Sequence, residues 1–281
     1  MTAQEVLELI QRAKDERAWM LDLSNKNLTE IPPEIPHLTS LQVLNLNNNQ
    51  ISEIPEALSH LTSLQELELS INQISEIPEA LAQLTSLQYL YLSYNQIREI
   101  PEALAQLTSL QILNLSDNQI SEIPEALTHL TSLQILDLSD NQIREIPEAL
   151  AHLTSLQILF LSYNQIREIP EALAHLVNLK RLVLKNNPIT NVPLEIIRQG
   201  WGKTTWEDGN PQAIFSYLKY KGKKRPLNEL KVLLVGEGYV GKTSLLKRLR
   251  HNTFNSEEPK TPGINIEKWQ LPQKPDIRLN L

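Results

Sequence analysis

The chain repeats itself every 23 residues over more than half of its length. Three consecutive copies read LTSLQILNLSDNQISEIPEALTH, LTSLQILDLSDNQIREIPEALAH and LTSLQILFLSYNQIREIPEALAH. Each copy carries a row of apolar residues that it is too short to bury alone, so consecutive copies must stack on one another. The sequence therefore predicts a solenoid whose core runs continuously from turn to turn.

The repeated frame is L-x-x-L-x-L-x-x-N-x-I-x-x-I-P-x-x-L-x-x-L, and it returns seven times between Leu38 and Arg198. This frame is typical of leucine-rich repeats. Apolar and variable residues alternate around Leu44 and Leu46, which indicates a short strand in each turn. Neighbouring turns should pair these strands in parallel, at a spacing of roughly 4.8 Å.

The asparagines of the frame form one column, at the turn that follows each strand, and its prolines form a second. An amide carries donors and an acceptor, so it can satisfy the backbone of adjacent turns, where an unpaired buried group would cost roughly 1–3 kcal/mol. Proline holds φ near −65°, which suits the start of a short helical turn on the convex side. The columns are Asn49, Asn72, Asn95, Asn118, Asn141, Asn164 and Asn187, and Pro32, Pro55, Pro78, Pro101, Pro124, Pro147, Pro170 and Pro193.

Helices are predicted to cap both ends of the solenoid. Residues Ala3 to Lys14 have apolar residues at helical spacing, and Trp19 to Ile35 reads as a degenerate first repeat. After the repeats, Asn210-Pro211 favours the start of a helix over Gln212 to Tyr220. The residues expected to face the solenoid are Val6, Leu7 and Ile10 in the first helix and Ile214, Phe215 and Leu218 in the second.

Glycine content and charge both change near residue 200. All eight glycines lie at Gly200 or later, so we expect the repeats to need no backbone position with a positive φ. Up to Gln199 the chain has 11 basic and 25 acidic residues, and from Gly200 onward it has 15 basic and 8 acidic residues. We attribute the acidity of the repeats mainly to a solvated convex face, and the alternative is an acidic docking surface.

The composition also bounds the cellular setting. The chain has no cysteine, which excludes disulfide caps and thiolate metal sites and suits a reducing cytoplasm. No apolar run approaches the roughly 20 residues that a transmembrane helix needs. We expect a cytoplasmic protein with no membrane span and no nucleic-acid partner. His60, His129, His152 and His175 share one column, but glutamine replaces them in other turns and no carboxylate accompanies them, so no metal site is expected there.

A stripe of apolar and aromatic residues occupies variable positions on and beside the strands, which should face the concave side. Exposed concave positions need no apolar residue for folding, so the stripe indicates a binding site for a protein or peptide. The protein's own C-terminal domains are one candidate partner. The alternative is that a β-sheet tolerates β-branched and aromatic residues anywhere. The predicted partner-binding residues are Tyr89, Tyr91, Tyr94, Ile112, Ile135, Ile158, Phe160 and Tyr163.

A phosphate-loop motif follows the repeats. Lys231 to Val235 has the pattern of a short buried strand and leads into GEGYVGKT, the full G-x-x-x-x-G-K-[ST] motif, after which Ser244 to Arg250 reads as a helix. Lys242 would reach the β- and γ-phosphates, and the Thr243 hydroxyl would coordinate Mg²⁺. The predicted nucleotide-binding residues of this segment are Gly236, Gly238, Tyr239, Val240, Gly241, Lys242, Thr243 and Ser244.

The order of these parts resembles the Roco family, in which leucine-rich repeats precede a Ras-like GTPase domain named Roc and a COR dimerisation region follows. KTPGINIEKW resembles the first switch of that family, which implies that Thr261 binds the nucleotide and closes on Mg²⁺. The resemblance also implies strands at Ile264 to Leu271 and Asp276 to Leu281. In the complete domain, the ligands implied are GTP or GDP with Mg²⁺.

The predicted fold is therefore α/β, a horseshoe-shaped leucine-rich repeat solenoid followed by the N-terminal part of a P-loop GTPase domain. Its predicted parts are an N-terminal cap and degenerate repeat (1–37), seven repeats (38–198), a C-terminal cap helix and basic hinge (199–228) and a partial Roc domain (229–281).

The 281 residues contain neither the D-x-x-G motif nor the N-K-x-D motif that recognises guanine in Ras-like domains. We therefore expect this chain to hold no nucleotide tightly and to be inactive alone, whereas the full-length protein is expected to be a GTPase. The expected function is that of the N-terminal part of a GTP-binding signalling protein. The alternative is a nucleotide-independent scaffold that binds a protein or peptide on its concave face.

Overall fold

The computed structural model describes residues 3–197, 210–220, 229–231, 268–271 and 274–280. The chain divides into two compact units, Met1–Lys221 and Gly222–Leu281. No helix among the described residues is long and apolar enough to cross a membrane.

The first unit is built on a parallel sheet of eight strands, one from each turn, arranged in sequence order. Each strand has three residues, of which the central leucine is buried and the flanking two are more exposed. Leu46, the second leucine of the alternating pattern, follows its strand, and its N–H donates to the Glu68 carbonyl of the next turn at 2.8 Å. The strands are β1 (Met20–Asp22), β2 (Val43–Asn45), β3 (Glu66–Glu68), β4 (Tyr89–Tyr91), β5 (Ile112–Asn114), β6 (Ile135–Asp137), β7 (Ile158–Phe160) and β8 (Arg181–Val183).

Seven of the eight described turns carry a short 3₁₀-helix on the side opposite the strand, and in six of them this helix begins directly after the proline of the frame. The φ angles of these prolines run from −69° at Pro55 to −62° at Pro170, which confirms the predicted role of the proline column. The first turn differs, because its helix begins after Glu34 instead of Pro32. The helices are Ile35–His37, Glu56–His60, Glu79–Gln83, Glu102–Gln106, Glu125–His129, Glu148–His152 and Glu171–His175.

A helix covers each open end of the core. At the N-terminus, α1 (Ala3–Asp15) buries Val6 and Ile10, whereas Leu7 is 39% exposed, so the prediction that Leu7 packs on the solenoid is wrong. Leu7 lies outside the narrow face that Val6, Ile10 and Ala13 share at helical spacing. A short helix, α2 (Leu194–Ile197), ends the last described turn.

The second cap, α3 (Pro211–Tyr220), packs against the last 3₁₀-helix, and its predicted inward residues Ile214, Phe215 and Leu218 are buried. The Asn210 side chain accepts hydrogen bonds from the N–H groups of Gln212 (3.0 Å) and Ala213 (3.3 Å). Asn210 is therefore the N-cap residue that the sequence predicts.

The asparagine column is a hydrogen-bonded ladder, as predicted. In the central turn, Asn118 Nδ2 donates to the carbonyls of Leu92 (3.0 Å), Leu115 (3.1 Å) and Ser116 (3.1 Å), while its Oδ1 accepts the Ile97 N–H at 2.9 Å. One amide thus joins its own turn to the preceding one. The same donors and acceptors recur at each of the other six asparagines.

The residue before each ladder asparagine has a positive φ, so the expectation that the repeats need no such position is wrong. Asparagine and aspartate tolerate this left-handed region, but Ile71, with φ 58°, is β-branched and is strained there. The backbone is held by neighbouring turns, since the Ile71 N–H donates to the Ser93 carbonyl at 2.8 Å. The residues at this position are Asn48, Ile71, Tyr94, Asp117, Asp140, Tyr163 and Asn186.

The second unit contains a three-stranded sheet among its described residues. Its strands are β9 (Glu229–Lys231), β10 (Lys268–Leu271) and β11 (Lys274–Asn280), in the order β10, β11, β9. The strand β11 pairs antiparallel with β10 and parallel with β9. Strands were predicted in these three regions. Most of the predicted first strand, Val232 to Val235, lies outside the described residues.

Replacing Asn118 with alanine should destabilise the protein by roughly 1–3 kcal/mol, because the buried Ile97 N–H would lose its hydrogen bond and the carbonyls of Leu92, Leu115 and Ser116 would each lose one of theirs. The same change at Asn187, which is less buried and lies in the last repeat, should destabilise it less. Urea unfolding of both variants measures the difference. Asn178→Ala is the control, since that amide makes one exposed hydrogen bond. A neutral Asn118→Ala would contradict the ladder's role in stability.

Candidate functional site

Four of the predicted partner-binding residues form an unbroken row along the sheet. Each is the first residue of its strand and lies opposite the next in register. Glu66 precedes the row on β3, and Arg181 follows it on β8. This apolar row consists of Tyr89, Ile112, Ile135 and Ile158.

The third residue of each strand forms a second row, which is not apolar throughout. Tyr91 and Phe160 are separated by Asn114 and Asp137, one on each intervening strand. The stripe predicted from the sequence is therefore continuous only in the apolar row. In the second row, one aromatic residue lies at each end of a pair of polar residues.

The turn that follows each strand repeats this arrangement. Tyr94 and Tyr163 occupy the positive-φ position of their turns, with Asp117 and Asp140 at the same position in the two turns between them. The two tyrosines are 59% and 47% exposed. The six predicted residues on the strands are only partly exposed, because side chains on neighbouring strands pack against one another at a spacing of about 4.8 Å.

Three carboxyl groups, Asp117, Asp137 and Asp140, form an acidic centre between these aromatic residues. Burial raises the pKa of Asp137 most, although the Ser139 N–H donates to it at 2.9 Å and opposes the rise. The pKa of Asp117 is raised by burial and then by the charges of Asp140 and Asp137, whereas a hydrogen bond from the Tyr94 hydroxyl lowers it. The three negative charges therefore disfavour one another.

A second acidic site, the acidic pair, consists of Glu66 and Glu68 on β3. Burial raises the pKa of Glu68 most, followed by the charge and hydrogen bond of Glu66, while the amide of Asn47 donates to Glu68 and opposes the rise. The pKa of the neighbouring Tyr91 hydroxyl is raised by burial and then by Glu66 and Glu68. Tyr91 therefore lies in the field of the acidic pair.

The far end of the concave face is basic. The Arg181 guanidinium lies over the Phe160 ring, 5.5 Å from its centroid. Beside it, Lys180 Nζ donates to Gln157 Oε1 at 2.8 Å. The concave face thus changes from acidic to basic near β7.

Sequence reasoning found the aromatic residues of this face but missed the acidic centre. Asp117 and Asp140 are 23 residues apart in the sequence and become neighbours only when the turns stack in register. The available signal was their shared column with Tyr94 and Tyr163.

Among the described residues, no group of histidine, aspartate and glutamate side chains has an arrangement that could hold a metal ion. In the histidine column, His129 Nδ1 lies 3.0 Å from the Ala126 carbonyl, a contact with its own 3₁₀-helix. The predicted nucleotide-binding and Mg²⁺-binding residues, Gly236 to Ser244 and Thr261, lie outside the described residues.

Several solved leucine-rich repeat structures are similar to this chain. A leucine-rich repeat protein of Leptospira interrogans is 38% identical, with a TM-score of 0.63, and the match covers 66% of this chain and 48% of that protein. Internalin C2 of Listeria monocytogenes is 34% identical, with a TM-score of 0.59, over 66% of this chain and 84% of that one. The plant peptide hormone receptor RGFR1, solved in complex with RGF2, is 38% identical, with a TM-score of 0.53, over 56% of this chain and 26% of the receptor. No curated protein matches.

Two family models match the chain. The Roc model, described as the Ras of Complex domain of DAPkinase, matches residues 231–280. The leucine-rich repeat model matches six overlapping segments, 19–74, 55–97, 69–120, 100–143, 123–166 and 146–189, which together cover more than half of the chain. With the stacked turns, the parallel sheet and the asparagine ladder, these matches show that the chain belongs to the leucine-rich repeat family.

Proposed function

We propose that the chain is the N-terminal part of a Roco-type GTP-binding signalling protein, whose repeats bind a protein or peptide on the concave face. The observation that carries the binding role is the aromatic and apolar surface that runs along β4 to β7. The presence of leucine-rich repeats before a segment matched by the Roc model supports the Roco assignment.

The fold does not require apolar residues at these positions. In other turns the first strand position holds Glu66 or Arg181, and the third holds Asn45 or Glu68, without a change in register. Contiguous apolar surface that folding does not explain is characteristic of interaction sites, and tyrosine is common among their anchor residues. A peptide hormone receptor is among the similar structures, which supports a peptide or protein as the ligand class.

The acidic centre also supports a binding role, because it opposes folding. Asn114 occupies the position of Asp137 in the preceding turn and accepts the equivalent N–H, that of Ser116, at 3.0 Å. A neutral asparagine therefore satisfies the backbone as well as an aspartate does, without the cost of burying a charge beside Asp140. The carboxylate of Asp137 is not needed for the turn and is available for a ligand.

The sheet of the second unit supports the nucleotide-binding part of the proposal. Its strands β9 and β11 are parallel, and a parallel pair requires a crossover connection between its strands. The sequence that follows β9 contains the phosphate-loop motif with Lys242 and Thr243. A strand leading into this motif is the context in which it binds phosphates, and the chain would contribute the β- and γ-phosphate contacts of a GTP site in the cytoplasm.

Replacing Tyr91 and Phe160 together with serine should weaken peptide binding by about 2 kcal/mol or more, since both would lose their role as anchors. Peptides selected from a displayed random library against the 281-residue chain provide the ligands, and calorimetry measures their affinity. Thermal unfolding should change little, because neither residue belongs to the buried core. Tyr220→Ser, which removes an exposed tyrosine from α3, is the control. If selected peptides bind the double variant as well as the parent chain, the concave face is not the binding site.

Replacing Asp137 with asparagine should stabilise the protein at pH 7 by roughly 0.2–1 kcal/mol, the scale of a cross-strand pair. Burial raises the pKa of Asp137 in the folded state, so at pH 7 the unfavourable ionised form is fully present. Below the ordinary pKa, near 4, the carboxyl is protonated in both states and the difference should vanish. Urea unfolding between about pH 3 and 7 tests this, with Glu145→Gln on the convex side as the control. A benefit that persists undiminished at about pH 3 would have another cause.

This chain should bind GTP weakly at most, whereas a chain extended through the D-x-x-G and N-K-x-D motifs should bind it with micromolar or better affinity. In the extended chain, Lys242→Ala should abolish binding, because the lysine contacts the β- and γ-phosphates. Titration of the 281-residue chain, the extended chain and its Lys242→Ala variant with fluorescent GDP, GTP and ATP measures these affinities. Preference for ATP in the extended chain, or tight GTP binding by the 281 residues, would contradict this assignment.

A further inference from the structure

The concave face carries two separate acidic sites, each beside a tyrosine. The acidic pair lies on β3 and is flanked by Tyr91 on the next strand. The acidic centre lies on β6 and in the turns after β5 and β6, where the Tyr94 hydroxyl bonds to Asp117. A carboxylate group next to an aromatic ring suits a cation, which gains both from the negative charge and from the face of the ring.

The fold already places one cation on an aromatic ring of this face. The Arg181 guanidinium lies over Phe160, and Phe160 is the neighbour of Asp137 in the next turn. Within the part of the chain that the structure describes, burial, hydrogen bonds from hydroxyl, amide and backbone groups, and other carboxylates shift the pKa values of the acidic centre and the acidic pair, and no basic side chain does. An anionic partner would add to this repulsion, whereas a cationic one would relieve it.

The spacing of the two sites defines the ligand further. The strands β3 and β6 are three steps apart in the sheet, which corresponds to roughly 14 Å at about 4.8 Å per step. An extended peptide rises about 3.3 Å per residue, so two of its side chains about four residues apart span that distance. Between the sites the face presents Tyr89 and Ile112 of the apolar row, and Ile135 follows on the strand of the acidic centre.

We propose that the concave face binds an extended segment of a partner protein in which two basic side chains lie about four residues apart, one at Glu66 and Glu68 and the other at Asp117, Asp137 and Asp140. The residues between the two basic positions pack on the apolar row. The inference rests on the proposed protein-binding role of this face and adds the charge and spacing of the ligand. Arginine is the better ligand residue, because its planar guanidinium pairs with carboxylates and also stacks on tyrosine.

The test uses the 281-residue chain and fluorescein-labelled peptides of about twelve residues, measured by fluorescence polarisation at about 0.15 M salt. One peptide carries arginines four positions apart, with valine and threonine between them, and a second has the same composition with adjacent arginines. We expect the spaced peptide to bind at least about tenfold more tightly, since only it reaches both sites. Equal affinity for the two peptides would overturn the proposed spacing.

Two variants of the protein remove one charge at each site without changing side-chain size. Glu68→Gln and Asp137→Asn should each weaken binding of the spaced peptide about tenfold, and together about a hundredfold. A peptide with a single arginine should lose less affinity when the two substitutions are combined. Glu145→Gln, on the convex side, is the matched control, and circular dichroism confirms that all variants are folded. If the control weakens binding as much as the others do, the attraction is non-specific and the proposal fails.

The outcome is separable from that of the broader binding role. If library-selected peptides lose affinity to the Tyr91 and Phe160 double variant but carry no paired basic residues, the face binds proteins and the proposed ligand chemistry is wrong. Displacement of the spaced peptide by spermine at an equal concentration would assign the face to small polycations and would also overturn the proposal.

Discussion

A buried amide in each turn is the interaction on which the rest of the solenoid depends. Asn118 Oδ1 accepts the Ile97 N–H of the preceding turn, while its Nδ2 donates to the Leu115 carbonyl of its own turn, so the preceding turn has a buried donor without a hydrogen bond until the next turn stacks on it. The leucines of the core are also buried only when turns stack, because one turn has no second layer of its own to cover them. Hydrogen bonding and apolar burial therefore both require every turn to match its neighbours, which explains why the 23-residue frame varies so little between Leu38 and Pro170.

The ladder also explains how the turns adopt a left-handed position without glycine. Backbone bonds from two neighbouring turns hold the residue before each ladder asparagine from Asn72 to Asn164, so a tyrosine, an aspartate or even Ile71 is forced into a conformation that it disfavours alone. Since no particular side chain is required there, the position is free to vary. Tyr94, Asp117, Asp140 and Tyr163 project from this position, and they include most of the exposed part of the candidate site.

The sequence predicted those features that a single turn determines. Its period gave the parallel strands, the proline positions and the inward leucines, and the capping signal at Asn210 located α3 within one residue. The features that it did not predict depend on contacts between turns. The positive φ of Tyr94 is hidden by the absence of glycine, the partial burial of Tyr91 depends on its neighbours across the sheet, and the repulsion between Asp117 and Asp140 exists only once their turns are stacked. The nucleotide-binding prediction stays a prediction, because Lys242 and Thr261 lie outside the described residues.

The electrostatics of the concave face connect stability with binding. Carboxylates held close together by a rigid sheet cannot move apart, so the free protein retains their repulsion as a destabilising contribution to folding. A cationic ligand removes that repulsion when it binds, and the stability lost in the free state then appears as a contribution to affinity. Aspartate at position 137 therefore has opposite effects on the free protein and on its complex. A turn evolving for stability alone would carry asparagine there, as the preceding turn does at Asn114, and the carboxylate at Asp137 is explained by the bound state.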